Sequence, residues 1–321
     1  MNIEDIKVNK KIKVVFMGTP EFAVPILEEL INNYDVRGVI TQPDKPFGRD
    51  GKLASPPVKK IASANNILVF QPLKVGDILE DIKGLDIDII VTCAYGQIVP
   101  SSILNLPRLG CINVHASLLP KLRGGAPIHR AIIEGHSKTG ITIMYMNEKM
   151  DAGDIIAQEE MPILENDTAS SMHDKLSNLG ASLLIKTLPS IIDETNERIK
   201  QDSSLVTYAF NIKREDEKLD FSKTAREIYN QVRGLNSWPG AYCLFEGKVL
   251  KVWECRVTNN YFPEKFDGQI TNIYDDGIGV KVSNGEVVLT LIQLEGKTKM
   301  PASQFVNGIN NNGDLIGKVL D

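Results

Sequence analysis

Three polar residues of this sequence could together move a proton and stabilise an oxyanion. Asn113 and His115 stand two positions apart at the end of an apolar run, so on a β-strand both side chains leave the same face. Asp151 follows a second apolar run, in Met-Asp-Ala-Gly. If the two runs are neighbouring strands, the carboxylate can reach the imidazole and fix its tautomer. The amide could then donate to a developing oxyanion while the imidazole accepts or returns a proton.

The residues around this trio leave two interpretations open. No cysteine or serine nucleophile accompanies it, so the pattern favours direct group transfer with acid–base assistance over covalent catalysis. The alternative is a structural Asn–His–Asp hydrogen-bond network without catalytic function. The remaining histidines are His129, His136 and His173, and they lack the carboxylates and thiols that would complete a metal site. We therefore expect no metal.

The elements that position the trio belong to an α/β pattern over the first half of the chain. Short apolar runs alternate with helical periodicity, which predicts a mostly parallel, Rossmann-like sheet covered on both faces. Ligands of such sheets bind beyond the carboxyl ends of the strands, where His115 is expected. The predicted strands are 12–17, 36–40, 67–70, 87–94, 111–115 and 140–146.

The turn after the first strand disfavours a nicotinamide dinucleotide. A dinucleotide fingerprint needs three glycines, and Phe-Met-Gly-Thr-Pro supplies only Gly18. Pro20 and Glu21 suit the first turn of a helix. The sequence therefore predicts a plain strand-to-helix junction here.

The composition changes after about residue 192. A charged stretch without periodicity predicts a linker over 193–209, and a helix follows with Ser222 as its expected N-cap and Gly234 as its stop. Alternating strands with Gly, Asp and Asn turns then predict a small β-barrel of the OB-like type. We expect a catalytic domain over 1–192 and a second domain over 210–321.

Composition and charge limit the class of protein. The formal net charge of −5 over 321 residues gives no general attraction to nucleic acid or to anionic membranes. The four cysteines form no CxxC pair, which favours free thiols in a reducing compartment. The charged N-terminus does not resemble a signal peptide, and no apolar run is long enough to span a bilayer. We expect a soluble, cytoplasmic protein and a monomer.

Several motifs resemble those of the methionyl-tRNA formyltransferase family, in order and spacing. They are GTPEFA, TQPDKPFGR, AYGQIVP, GCINVHASLLPKLRGGAPIHRAI and MDAGDI, and the similarity continues through WPGAY to the C-terminus. The Asn-x-His…SLLP…Asp-x-Gly core is shared with glycinamide ribonucleotide formyltransferases and formyltetrahydrofolate hydrolases. That core therefore indicates the folate-dependent superfamily and leaves the acceptor open.

The resemblance implies a transferase of translation initiation. The family moves a formyl group from 10-formyltetrahydrofolate to the α-amino group of methionyl initiator tRNA, without a metal. It implies Asn113, His115 and Asp151 as catalytic residues, with either His115 or Asp151 as the base. It also implies a folate pocket lined by main-chain groups of two turns, made of Tyr95, Gly96, Gln97 and Ile98 and of Ser117, Leu118, Leu119 and Pro120.

Two features bear on the acceptor. The loop over 41–60 carries five basic residues (Lys45, Arg49, Lys52, Lys59 and Lys60) against two acidic ones, a balance of +3, and the resemblance implies tRNA contacts for Lys45, Arg49 and Lys52. A solvated Lys-rich loop is the alternative. The barrel is expected to bind tRNA only by resemblance, because its composition is weakly acidic. The rival functions are formyl transfer to a sugar-nucleotide amine and a non-catalytic RNA-binding protein.

Leu122 departs from the family, which usually carries tryptophan at this place. We expect this change to affect packing on the folate side.

Overall fold

The computed structural model describes residues 11–47, 52–308 and 315–321 of the chain. These form two compact units, each built from three stretches of sequence. The first unit comprises Met1–Pro127, Thr139–Met161 and His173–Phe210, and the second comprises Ile128–Lys138, Pro162–Met172 and Asn211–Asp321.

The unit boundaries differ from the domain boundaries expected from the sequence. The expected linker 193–209 groups with the first unit, where Ile199 pairs with Ile155 and Tyr208 pairs with Arg123 in isolated bridges. Main-chain hydrogen bonds hold this segment, and such bonds leave no pattern in the side chains. The assignment of separate catalytic and tRNA-binding domains stays a prediction.

A mostly parallel sheet forms the centre of the first unit. The strands up to residue 162 are β1 (Lys13–Gly18), β2 (Asp35–Ile40), β3 (Lys45–Phe47), β4 (Lys52–Ala54), β5 (Val69–Phe70), β6 (Ile89–Cys93), β7 (Cys111–His115), β8 (Lys138–Tyr145) and β9 (Ile155–Pro162). Within the described chain, seven of them form one sheet in the order β5-β2-β1-β6-β7-β8-β9, and β3 pairs with β4 as a separate hairpin. The pairs from β5 to β7 are parallel, whereas β8 runs antiparallel to β7.

Helices and short 3-10 turns connect these strands. The helices are α1 (Val24–Asn33), α2 (Pro57–Ala64), α3 (Leu79–Gly84), α4 (Ser101–Leu104), α5 (Pro127–Ile133), α6 (Ala169–Ile192), α7 (Arg214–Glu217), α8 (Ala225–Gly234) and α9 (Ala302–Asn307). The 3-10 turns are Glu21–Ala23, Val75–Ile78 and Ser203–Leu205. The junction after β1 leads into a helix as predicted, but the α-helix begins later than Pro20. Pro20 is the N-cap of the 3-10 turn Glu21–Ala23, and α1 begins at Val24 with Pro25 in its first turn.

Burial explains why the strand predictions succeed. Every residue of β6 is buried, and β1 and β7 are nearly so, as expected for strands covered on both faces. The predicted mostly parallel sheet is confirmed, and β7 has the predicted bounds. Two features were not predicted from the sequence. They are β9, whose later residues alternate between half-buried and exposed, and the pairing of β3 with β4 in a region predicted to be a loop.

The second unit contains an antiparallel sheet. Its strands are β10 (Ala241–Phe245), β11 (Lys248–Thr258), β12 (Ile270–Tyr274), β13 (Gly277–Val282), β14 (Gly285–Leu294) and β15 (Met300–Pro301), in the order β10-β11-β14-β13-β12 with β15 on β14. At the C-terminus, Gly317 N donates to Ile270 O at 2.9 Å, and Asp321 N donates to Leu244 O at 3.0 Å. The last residues therefore join the β12 edge to β10, as the expected small barrel requires.

The helix α8 begins two residues later than predicted from Ser222. Thr224 is its N-cap, because its hydroxyl accepts from Glu227 N while the Glu227 carboxylate accepts from Thr224 N. Ser222 instead donates from its hydroxyl to the carboxylate of Asp220. Both residues are good N-cap types, so only the position of the glutamate three residues on distinguishes them.

The structure bears on the cysteines, on possible metal clusters and on long apolar helices. The four cysteines are all buried and free. In the described ranges, no cluster of three or more His, Cys, Asp or Glu residues could hold a metal ion. The helices of the described chain also include none whose length and hydropathy would suffice to cross a membrane.

Burial of the thiols makes a chemical prediction. Burial raises the pKa of Cys93 and Cys111 well above its usual range, and it raises the pKa of Cys243 and Cys255 to about 12. Because the thiolate is the nucleophile and a raised pKa depletes it, we expect negligible alkylation by iodoacetamide at pH ~8 in the native protein. In concentrated guanidinium, all four thiols should react. Rapid labelling of any one of them in the native state, followed by mass spectrometry, would contradict this packing.

Candidate active site

The carboxyl end of β7 brings the predicted amide and imidazole to one edge of the sheet. Asn113 lies opposite Thr92 of β6, and His115 lies opposite Thr142 of β8. Because β8 is antiparallel to β7, its end at Tyr145 lies beside Ile112, at the start of β7. The loop after β8 must therefore turn back along the sheet to bring Asp151 to the imidazole.

The structure places Asp151 beside His115. The Asp151 Oδ2 atom lies 3.7 Å from His115 Nδ1, and the two side chains are only 16% and 7% exposed. The same Oδ2 accepts a hydrogen bond from Gly124 N at 2.8 Å. The distance of 3.7 Å is too long for a hydrogen bond, and it places the carboxylate next to the ring nitrogen that would carry a proton in an imidazolium.

The tautomer of His115 is set by a main-chain carbonyl and not by Asp151. His115 Nε2 lies 3.0 Å from Leu122 O, and a carbonyl only accepts, so Nε2 must be the protonated nitrogen. The lone pair of the neutral ring is then on Nδ1, the atom that faces the carboxylate. The sequence-based expectation that Asp151 fixes the tautomer is wrong in this respect. Leu122, noted above as a departure from the family, acts here through its main chain.

A hydrogen bond orients the amide of Asn113. Thr92 Oγ1 donates to Asn113 Oδ1 at 2.8 Å, the shortest of the contacts that this buried hydroxyl makes. With Oδ1 engaged, the Nδ2 donor points the other way, and it makes no hydrogen bond to the described part of the chain. The amide is therefore prepared to donate to an added oxygen atom.

Two glycines allow the loops to approach this closely. A Cβ on Gly153 would lie 1.7 Å from Tyr145 O, and a Cβ on Gly124 would lie 2.7 Å from Ala209 O. Gly124 also has a φ of +121°, which favours glycine, and Asp151 itself has a φ of +49°, in the left-handed region that aspartate tolerates better than most residues. The glycine of the Asp-x-Gly motif thus has a packing reason.

Gln201 links the two loops that carry these groups. Its Nε2 donates to Asp151 O at 2.9 Å and to Gly153 O at 2.8 Å. Its Oε1 accepts from Arg123 Nε at 3.1 Å and from Arg123 Nη2 at 2.7 Å. One amide side chain therefore satisfies four polar groups and fixes the Asp151 turn against the segment that contains Gly124.

The turn over Ser117–Pro120 is held from beneath by a buried threonine. Thr142 Oγ1 donates to Ser117 O at 2.7 Å and accepts from Leu119 N at 3.1 Å. Gln158 Nε2 donates to the same hydroxyl and to Leu119 O, both at 2.8 Å. Ser117 Oγ donates to Lys121 O at 2.7 Å, which closes the turn. The turn is therefore held by several hydrogen bonds, and it begins two residues after His115.

The second expected folate turn follows β6 at the same edge of the sheet. Thr19 Oγ1 and Gln42 Nε2 each donate to Tyr95 O at 3.1 Å. The Tyr95 ring is buried in the core, and burial raises the pKa of its phenol to about 12. Gln97 Oε1 accepts a hydrogen bond from Val75 N, and Gln97 Nε2 donates to Pro72 O. The Ile98 side chain is 88% exposed. The side chains of Tyr95 and Gln97 therefore hold the turn in place.

The described residues of the basic loop include the paired strands β3 and β4. Lys45 is exposed on β3, and Lys52 begins β4, but Arg49 lies outside the described residues. Lys59 does not add to the free positive charge, because its ammonium lies 2.8 Å from Asp44 Oδ2. Hydrogen bonds from Gln71 and then from Lys59 hold the pKa of Asp44 below its usual range.

Sequence reasoning identified the three central residues and missed those that position them. Thr92 could have been found, since it is a polar residue within an otherwise apolar strand. Thr142 gives a similar, weaker signal. Gln201 falls in the stretch read as a linker, where no pattern marks it.

Comparison with known proteins identifies the family. Residues 10–188 match the formyl transferase family, and residues 211–310 match the C-terminal domain of formyl transferases. The methionyl-tRNA formyltransferase of Bacillus cereus strain B4264 is 54% identical over 301 residues, which cover 92% of this chain and 96% of that protein. The methionyl-tRNA formyltransferase of Bacillus cytotoxicus is 52% identical over 304 residues, with coverage of 92% and 96%.

A solved structure shares the fold at lower identity. It is the crystal structure of an N-formyltransferase from Helicobacter canadensis in complex with folinic acid and dTDP-3-aminofucose, with a TM-score of 0.65 and 23% identity. The match covers 87% of this chain and 98% of that one. The two family matches and the relatives at 52–54% identity show that the chain belongs to the methionyl-tRNA formyltransferase family.

Proposed function

We propose that this chain transfers the formyl group of 10-formyltetrahydrofolate to the α-amino group of methionyl initiator tRNA, for translation initiation in the cytoplasm. The observation that carries the proposal is the approach of Asp151 to His115 on β7, the strand that also carries Asn113. It occurs in a chain 54% identical to a methionyl-tRNA formyltransferase over nearly its whole length. A non-catalytic RNA-binding protein would have no use for this arrangement.

Asn113 is the proposed oxyanion donor. When the amine attacks the formyl carbon, negative charge develops on the formyl oxygen. Thr92 already engages Asn113 Oδ1, so Nδ2 is oriented before the substrate arrives and needs no reorganisation. One such preorganised donor typically contributes about 3–4 kcal/mol to transition-state stabilisation.

His115 and Asp151 are the proposed proton-handling pair. The attacking amine must lose a proton, and N10 of the folate must gain one as it leaves. Since Leu122 O engages Nε2–H, the proton can be accepted only at Nδ1, where Asp151 Oδ2 at 3.7 Å would stabilise the imidazolium. Positioned acid–base groups typically contribute about 10²–10⁴-fold to the rate.

The donor and the tRNA are assigned to neighbouring elements. The turns Tyr95–Ile98 and Ser117–Pro120 are proposed to line the folate pocket, since they follow the carboxyl ends of the neighbouring parallel strands β6 and β7. Lys45, Arg49 and Lys52, on or between β3 and β4, are proposed to contact tRNA phosphates. No metal takes part in the proposed reaction, and we propose that the enzyme acts as a monomer.

The acceptor is tested directly by competition between substrate classes. With 10-formyltetrahydrofolate as donor, we expect the purified protein to formylate methionyl initiator tRNA and not a dTDP-linked amino sugar. The variant His115→Ala is the matched control and should lose about 10²-fold or more of the tRNA activity. Faster transfer to the amino sugar would show that the acceptor is a sugar nucleotide and not the tRNA. Transfer to neither substrate would contradict the proposal that the protein is a formyltransferase.

The basic hairpin makes a separate prediction. Arg49→Ala should raise KM for tRNA several-fold. The difference from wild type should become smaller at high salt, because a contact between arginine and phosphate gains its free energy from counterions released into solution, and added salt reduces that gain. KM for 10-formyltetrahydrofolate should not change. Lys83→Ala, which removes an exposed lysine paired with Glu80 on α3, serves as the control. An equal rise in both KM values would show that the hairpin is not a tRNA contact.

The link made by Gln201 predicts an effect on kcat. Gln201→Ala should lower kcat for formyl transfer by about 10- to 100-fold, because small misplacements of catalytic groups are costly. Lys200→Ala removes the exposed neighbour and should change kcat by no more than about two-fold. Steady-state kinetics at saturating substrates, with melting temperatures to confirm folding, measure both. A normal kcat for Gln201→Ala would mean that Asp151 is positioned without this link.

A further inference from the structure

A pair of exposed aromatic side chains lies next to the candidate active site. The rings of Tyr208 and Phe210 stack with their centroids 5.6 Å apart and their planes inclined by 10°. Tyr208 is 50% exposed and Phe210 is 63% exposed, whereas Ala209 between them is fully buried. This alternation puts both rings on the same side of an extended segment. We call this surface the Tyr208–Phe210 face.

Main-chain hydrogen bonds fix this face against the loop that follows His115. Ala209 N donates to Arg123 O at 2.7 Å, and Ala126 N donates to Ala209 O at 3.0 Å. Gly124 lies between these contacts, and its N–H donates to the Asp151 carboxylate. The same short stretch of main chain, 123–126, therefore makes hydrogen bonds both to the Asp151 carboxylate and to the segment that carries the aromatic face.

We propose that the Tyr208–Phe210 face stacks on unpaired bases at the 3′ end of the charged tRNA, an inference that rests on the proposed function. The aminoacyl group is carried by the terminal ribose, so the last bases must lie close to the site where the amine reacts. An exposed aromatic ring is a general platform for such bases, because every base has a π face. Stacking of this kind tolerates any base sequence.

Charge next to the face supports a nucleic-acid occupant. Arg123 pairs with Tyr208 in the isolated bridge, and its guanidinium is held by Gln201 Oε1. A held guanidinium is suited to a phosphate, because its planar fork is already oriented. The aromatic face and a cation thus occur together, as in sites that follow single-stranded nucleic acid.

The size of the face disfavours a stable protein partner. An aromatic side chain offers roughly 150–250 Å² in all, so two half-exposed rings offer roughly 200–250 Å². A stable protein interface needs about 800 Å² from each partner. The face is large enough for one or two bases and too small, by itself, for another subunit.

Fluorescence of 2-aminopurine tests the stacking without any variant. The probe is a methionylated minihelix of the tRNA acceptor arm with 2-aminopurine in place of the 3′-terminal adenine or of an unpaired adenine that precedes the CCA end. We expect the wild-type protein to change the fluorescence of at least one of these probes on binding. Unchanged fluorescence at both positions, under conditions where the minihelix is bound and formylated, would overturn the proposal.

Matched variants assign the effect to the rings. The double variant Tyr208→Leu with Phe210→Leu keeps apolar bulk but removes the π faces, and we expect KM for tRNA to rise about 5- to 100-fold. KM for 10-formyltetrahydrofolate should not change. Tyr208→Phe should retain stacking, and Leu205→Ala, an exposed apolar position on the same segment, should behave as wild type.

The outcomes separate this inference from the proposed function. If the wild-type protein formylates methionyl-tRNA and the double leucine variant has the same KM and the same fluorescence change, the stacking role fails and the function stands. If the wild-type protein does not formylate methionyl-tRNA, the function itself fails. A concentration-dependent dimer of the wild-type protein, lost in the double leucine variant on sedimentation, would reassign the face to self-association.

Discussion

The chemistry that we propose for this site depends on one carboxylate, that of Asp151, being held next to one imidazole, that of His115. Asp151 lies in the loop after β8. Because β8 runs antiparallel to β7, this loop has to return along the sheet to reach His115. The loop achieves this through a backbone conformation that few residues adopt, a glycine pressed against Tyr145, and a hydrogen bond from Gly124. A buried charge without such partners would be costly, and here the main chain supplies them.

Hydrogen bonds from neighbouring groups determine which atoms of His115 and Asn113 are left for a substrate in the proposed reaction. Leu122 O occupies Nε2–H, so Nδ1 is the only nitrogen at which the ring can take up a proton. Thr92 plays the corresponding part for Asn113, since it engages the carbonyl end of the amide and leaves the N–H₂ end for the substrate. In both cases a group from a neighbouring element decides which atom faces the reaction. Preorganisation of this kind is what makes such donors effective in catalysis.

The buried strands and the shared face of Asn113 and His115 could be predicted from the sequence, whereas the loop contacts that position the site could not. Apolar runs marked β1, β6 and β7, because strands buried on both faces have little choice of residue, and the Asn-x-His spacing fixed which side chains share a face. The returning loop and the Leu122 carbonyl are set by main-chain geometry, which side-chain patterns do not encode. The Gln201 link is made by a single polar side chain in a stretch without periodicity, where no pattern marks it. For the same reason residues 193–209 resembled a linker, although their main chain pairs with the first unit.

A single-turnover measurement of formyl transfer by Asp151→Asn tests the central claim most directly. Asparagine still offers an oxygen to Gly124 N–H, so the turn should persist while the negative charge beside His115 is lost. With pre-bound 10-formyltetrahydrofolate and methionyl initiator tRNA, the account predicts a rate about 10²-fold or more below wild type at an unchanged melting temperature. The neighbouring Asp154→Asn should retain the wild-type rate. A wild-type rate for Asp151→Asn would contradict the account, because the carboxylate charge would then have no part in the reaction.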